Sequence, residues 1–197
     1  MEYQQLIALA TFAFASTATP GPNNIMLMTS GANVGFVRTI PHMLGITLGF
    51  SLMVFLVGAG IMGVFSVYPL VLQSLQIGCL IYLIYLAIKI ARSRPGGSLG
   101  SDYKPMSFLA AAGFQWINPK AWSMALAAIS VYNVSASWSG VLIIAGVFAL
   151  VNIPSVTLWT WAGQQSKSLL NNSSRMTAFN YLMAGLLLAS TLPMVEL

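Results

Sequence analysis

Thr19-Pro20-Gly21-Pro22-Asn23-Asn24 interrupts an apolar run that extends from about residue 4 to about residue 30. A helix rises 1.5 Å per residue, so a run of this length can cross the roughly 30 Å of hydrocarbon in a bilayer. Two prolines around a glycine withdraw backbone donors and clash with the preceding turn. In hydrocarbon each freed carbonyl costs several kcal/mol unless it finds a partner, so such a break belongs where protein or a water-filled cavity surrounds it. Asn23 and Asn24 place amide donors and acceptors at the same depth.

Apolar runs of spanning length occur six times, over roughly 4–30, 42–66, 70–91, 106–131, 138–163 and 177–195. The composition agrees: 57% of residues are hydrophobic, only 6% are charged, and the mean hydropathy is +0.82. Soluble domains carry about 25% charged residues, so a soluble globular domain is excluded. Eight Lys and Arg against three Asp and Glu are scattered over short connections and form no basic patch for nucleic acid. The lone Cys79 rules out an intramolecular disulfide or a two-thiol redox pair. Met1-Glu2-Tyr3-Gln4-Gln5 lacks a basic region before its apolar stretch and reads as the start of a retained helix, not a cleaved signal peptide.

The cations sort by side. Arg38 falls in the first connection (Gly35 to Arg38), Lys89, Arg92, Arg94 and Lys104 flank the third, and Lys167 and Arg175 lie in the fifth, Gln164 to Met176. The second connection, Ser66 to Pro69, and the fourth carry no charge. With six spans every cation except Lys120 lies on one face, which by the positive-inside rule is cytoplasmic, so both termini are expected on the periplasmic side. A five- or seven-span count breaks this segregation.

The longest connection, Arg92 to Asp102, is rich in Pro, Gly and Ser and suits a flexible linker. It divides a single transmembrane domain (1–197) into repeat one (about 1–94), a linker (about 95–104) and repeat two (about 105–197). Each repeat holds an odd number of spans, so the second must enter from the opposite face. The expected fold is an all-α membrane protein of six transmembrane helices in two inverted three-helix repeats.

The irregularities correspond between the halves. Span four, the first of repeat two, carries Asn118-Pro119-Lys120 near its middle, as span one carries its Pro-Gly-Pro. Paired interruptions of this kind are the best sequence pointer to a transport site. Each half-helix beginning after a break aims free N–H groups and a positive dipole end at the midplane, which suits a carboxylate. A lone proline that merely kinks a membrane helix is the common alternative, but it does not account for Asn-Asn and Asn-Pro-Lys at matching places.

Lys120 lies about 20 Å from one end of its span and about 17 Å from the other, too deep for a stem of roughly 6 Å to snorkel out. A charge there costs about 3 kcal/mol or more and is functional by default. No Asp or Glu lies within any span. Lys120 is therefore neutral, or held by carbonyls and asparagines, or paired with an anionic ligand group. The missing acid favours a neutral or zwitterionic solute over a cationic one.

Other features have plainer readings. Gln73, Gln76, Cys79 and Tyr82 recur at three-residue spacing in span three and suit either a path or helix–helix hydrogen bonding. Asn152 and Pro154 are candidates for a third irregularity, in span five. Gly45 and Gly49 give a GxxxG spacing, which favours close helix packing; small bundles with such faces often form homodimers. His42, beside Pro41, reads as interfacial, and Tyr132 and Trp138 suit the aromatic belt.

These residues resemble a known family. Thr19 to Asn24, followed by Gly31 and Gly35, is similar to the first-helix signature of the LysE/RhtB family of bacterial amino-acid exporters. Gly113-Phe114 through Asn118-Pro119-Lys120 resembles its fourth-helix motif, and Gly78 to Arg92, with Tyr82-Leu83 and Tyr85-Leu86, its third helix. The resemblance covers nearly the whole chain and is nearest the homoserine/threonine and cysteine/O-acetylserine branch. Ala121-Trp122-Ser123 replaces the more usual leucine and phenylalanine, a departure that bears on substrate and not on family. The resemblance implies an inner-membrane exporter of small amino acids or their metabolites, driven by the proton motive force, with no cofactor. It also implies that Pro20, Gly21, Pro22, Asn23, Asn118, Pro119 and Lys120 surround the transport path.

Read together, the residues point to a secondary exporter in which the substrate carboxylate meets Lys120 and half-helix N–H groups, while Asn23, Asn24 and Asn118 orient the amino group. Asn152 is added to this set from span five. Protons are the expected coupling ion, with the Lys120 amine as candidate carrier. A thiol-relay oxidoreductase would need two cysteines. A metal-ion exporter would need His, Asp, Glu or Cys clusters in its spans, and an enzyme would need an acid and a base. The alternatives are a passive channel or an exporter of another small solute or metal ion, and the channel is the strongest of them.

Overall fold

The computed structural model describes residues 1–60, 69–93, 102–133, 137–170 and 172–190. All secondary structure among them is helical: α1 (Tyr3–Ala18), α2 (Pro22–Val34), α3 (Phe36–Gly58), α4 (Pro69–Arg92), α5 (Phe108–Ile117), α6 (Pro119–Tyr132), α7 (Trp138–Ser166) and α8 (Ser173–Ala189). The first and fourth apolar runs are each split in two, at Thr19-Pro20-Gly21 and at Asn118. By length and apolarity, α3 and α7 qualify as membrane-crossing helices. The second connection and most of the linker lie outside the described residues, as do the side chains of Gln73 and Gln76.

Local chemistry explains the two splits. Pro22 and Pro119 each occupy the first turn of a helix, where the missing N–H is no loss. Asn118 caps α6 by accepting from the Lys120 N–H at 3.2 Å. Gly21, ahead of α2, makes no such side-chain cap.

Three expectations need correcting. The first connection is not Gly35 to Arg38. α3 begins at Phe36, because Gly35, at φ +86°, reverses the chain within one residue that only glycine adopts readily. Pro154 makes no third break: α7 runs through it, and its side chain faces outward. His42 is not interfacial. It is wholly buried on α3, the helix that packs against both α5 and α7.

Glycines set how closely the helices approach. A Cβ at Gly163 on α7 would strike the Met28 carbonyl of α2, and one at Gly31 would strike the Thr160 carbonyl of α7. The two backbones therefore cross with nothing between them. Gly45 and Gly49 do the same for α3 against Phe108, Ala111 and Ala112 of α5. The GxxxG face is thus consumed within the chain and not offered to a second copy.

One apolar core joins α1, α3, α6 and α7 through Leu9, Phe50, Val54, Trp122, Ala125, Ile144 and Phe148. Another joins α2, α4, α5 and α8 through Met26, Leu83, Leu86, Phe114, Met183 and Leu187. The outer surface is apolar too. Leu44, Leu48 and Leu52 form an exposed stripe on α3, as do Ile77, Ile81, Ile84 and Ile88 on α4. Contiguous apolar surface of this kind suits hydrocarbon, not water.

Candidate functional site

Ending α1 in the middle of the bundle orphans its last carbonyls, which need donors from elsewhere. Asn24 Nδ2 donates to Thr17 O at 2.7 Å and to Thr19 O at 2.8 Å. Ser155 Oγ of α7 donates to Thr17 O at 2.9 Å, and Trp159 Nε1 to Ala18 O at 3.1 Å. The final donor crosses from the other break. Lys120 Nζ donates to Thr19 O at 2.8 Å, to Thr19 Oγ1 at 2.8 Å and to Pro20 O at 3.5 Å.

The Lys120 ammonium is therefore held by oxygens of the first break. It lies over Gly21, where an added Cβ would come within 3.0 Å of Lys120 Cδ and 3.1 Å of Nζ. The small residue makes room for the cation. Because α1 ends and α2 begins here, the ammonium is bracketed by the negative end of one helix dipole and the positive end of another.

A small cavity of about 30 Å³ lies beside it. Of the candidate residues, Gly21, Pro22, Asn23, Asn24, Asn118, Lys120 and Asn152 line it; Pro20 and Pro119 do not. Pro20 is exposed and enters through its carbonyl, Pro119 through the helix it starts. Asn152 is buried and donates to Thr47 Oγ1 at 3.3 Å. The apolar part of the lining comes from Ile46, Phe50 and Met124.

Sequence reasoning missed Gln115 and Thr19. Gln115 is wholly buried and exchanges two hydrogen bonds with Asn23, Nδ2 to Oε1 at 2.9 Å and Nε2 to Oδ1 at 3.3 Å. It also donates to Ala111 O at 2.8 Å. One amide thus ties the first half of the chain to the second inside the cavity. Its signal was a polar residue three positions before Asn118, hence on the same helical face. Thr19 gave less warning, because its main contribution is a backbone oxygen.

A second polar cluster lies away from the cavity. Asn33 Nδ2 donates to Asn180 Oδ1 at 2.9 Å, Asn180 Nδ2 donates to Ser93 O at 3.2 Å, and the Ser30 and Tyr103 hydroxyls meet at 3.0 Å. Burial pushes the Tyr103 phenol up to about 12, while the Ser30 contact pulls it down. No group of three or more His, Cys, Asp or Glu that could hold a metal ion occurs among the described residues.

A family profile described as LysE type translocator matches residues 14–191, a stretch that takes in both breaks and the cavity. The chain belongs to the LysE translocator family. It is 31% identical over 173 residues to the cysteine/O-acetylserine efflux proteins of Escherichia coli K12, Shigella flexneri serotype 5b and Shigella sonnei, covering 86% of this chain and 88% of each relative. No solved structure matches it. The matched stretch includes both breaks and the Lys120 contact between them.

Proposed function

We propose that this protein is a bacterial inner-membrane secondary exporter of small neutral amino acids or their metabolites, of the cysteine/O-acetylserine or homoserine/threonine type. In this reading six spans form two inverted three-helix repeats with both termini periplasmic, and the cavity between the breaks is the substrate site. The supporting observation is the Lys120 ammonium, seated on the carbonyls of the other break at the edge of a cavity lined by amides.

The chemistry follows from the lining. A carboxylate entering the cavity meets Lys120 and the side-chain-uncapped N-terminus of α2, both favourable to an anion. The Asn23–Gln115 amide pair offers donors and acceptors to a short polar side chain. Asn24 and Asn118 act largely through the backbone they hold in place, and Asn152 closes the α7 side. Family membership and efflux-protein relatives support export as the direction. Alternating access would rock one repeat against the other around this fixed centre, and the proton motive force would drive it.

Counterflow in proteoliposomes tests the reading. Preloaded O-acetylserine or threonine is expected to accelerate entry of the labelled solute, and an imposed pH gradient to drive accumulation. Uptake without trans-stimulation would identify a passive channel. Lys120→Met that leaves pH-driven transport unchanged would remove Lys120 from the coupling.

A further inference from the structure

We propose that the Thr19 and Pro20 carbonyls with the Thr19 hydroxyl form an ammonium subsite, which Lys120 occupies and yields to the amino group of a zwitterionic substrate. The proposal rests on the exporter reading for its substrate class, while the subsite itself rests on geometry alone.

Three oxygens converge on Nζ, two at 2.8 Å and one at 3.5 Å. All three are acceptors: two are carbonyls at the C-terminal end of a helix, where the dipole is negative, and the third is a hydroxyl. A primary ammonium carries three donors, so lysine and an α-amino group present the same face to this site. Lys120 therefore mimics half of an amino acid.

A substrate can displace it only by satisfying both partners. Its carboxylate must replace the oxygens that Lys120 gives up, and its ammonium must replace the donor that the carbonyls lose. Orphaned carbonyls and an unpaired cation are both expensive away from water. An amine without a carboxylate leaves Lys120 competing for the same oxygens; an acid without an amine leaves the Pro20 carbonyl and the Thr19 hydroxyl without the Lys120 donor, and Thr19 O with Asn24 alone. Recognition then requires both charges on one small molecule. The two poles lie where they should, with the end of α1 accepting and the start of α2 donating, separated by Thr19, Pro20 and Gly21.

The other carbonyl donors do not take part in this exchange. Asn24, Ser155 and Trp159 stay on Thr17, Ala18 and Thr19, so the helix end keeps its shape when Lys120 leaves.

Three probes at mildly acidic pH, where the acetyl group stays on oxygen, separate the charges. O-acetylserine carries both, its methyl ester has the amine alone, and its isomer N-acetylserine has the carboxylate alone. Binding is read from ligand-induced thermal stabilisation of the purified full-length protein. Wild type is expected to bind O-acetylserine at least about tenfold more tightly than either single-charge probe, about 1.4 kcal/mol. Lys120→Met, which vacates the oxygens, is expected to gain affinity for the methyl ester by about tenfold over wild type, and Thr19→Val on that background to lose most of the gain. Lys120→Met that melts cooperatively yet takes the ester no better than wild type overturns the subsite. Should that variant not fold, Lys120→Gln carries the same comparison. Failure of wild-type vesicles to move O-acetylserine would defeat the exporter reading and leave the ester result to decide the subsite.

Discussion

Lys120 Nζ lies 2.8 Å from the carbonyl oxygen of Thr19, a residue 101 positions earlier in the chain. One hydrogen bond thus joins the helix break in the first half to the break in the second. It does so over Gly21, whose missing side chain is the space the lysine occupies.

Gly21→Ala should dislodge the lysine without unfolding the protein. The backbone of Gly21 is extended and open to any residue, but the new methyl meets the far end of Lys120 at 3.0–3.1 Å. A flexible chain gives way to it. We expect transport to fall by about tenfold or more, in line with the cost of misplacing a positioned group by about 1 Å, while the melting temperature moves little. A large fall in melting temperature with transport per folded molecule unchanged would contradict this.

The Asn23–Gln115 pair predicts a cycle. Gln115→Leu leaves the Asn23 amide without its partner and should cost about 1–3 kcal/mol, whereas Asn23→Leu with Gln115→Leu should recover much of that, because both polar groups are gone. Transport should stay impaired in both the single and the double variant if the pair reads substrate. Denaturation and counterflow on the same preparations separate the two effects.

Gly163→Ala is expected to be strongly damaging. Overpacking commonly costs about 1–3 kcal/mol, and here the obstacle is the Met28 carbonyl, part of a backbone that cannot turn aside. Gly185→Ala is the control. Nothing lies within 4 Å of the Cβ it would add, and alanine in a helix interior gains about 0.5–1 kcal/mol over glycine. Folded yield and melting temperature should move in opposite directions for the two.

Tyr103 predicts a pH window. Its phenol titrates at about 12 in the fold, against about 10 for a free side chain. The neutral form is the one the fold favours, so its stabilisation is complete below about pH 10 and drains away as pH rises toward 12. Tyr103→Phe, lacking the contact with Ser30, should melt lower than wild type at neutral pH but lose less between pH 10 and 12. Melting curves across that range give the answer.

How far the sequence could be read depended on which atoms carry the information. Both breaks were legible because proline and glycine have backbone consequences no context removes, and the lack of an acid within any span was legible from composition alone. What Lys120 touches was not, since its partners are carbonyls that every residue possesses. His42 misled because a proline neighbour and a position near a span boundary resemble an interface, while burial depends on tertiary packing that sequence does not show. Pro154 misled for the opposite reason: a proline on the outer face of a long helix bends nothing that its neighbours must repair. Gly45 and Gly49 announced a close approach but not to whom.

The end of α1 is held by two kinds of donor. Asn24, Ser155 and Trp159 are short or ring-bound groups fixed to helices that surround the break; Lys120 hangs on four methylenes. A socket anchored on three sides and stoppered on the fourth by a tether can be emptied and refilled without being rebuilt. In the proposed exporter the chain would supply its own placeholder for those oxygens.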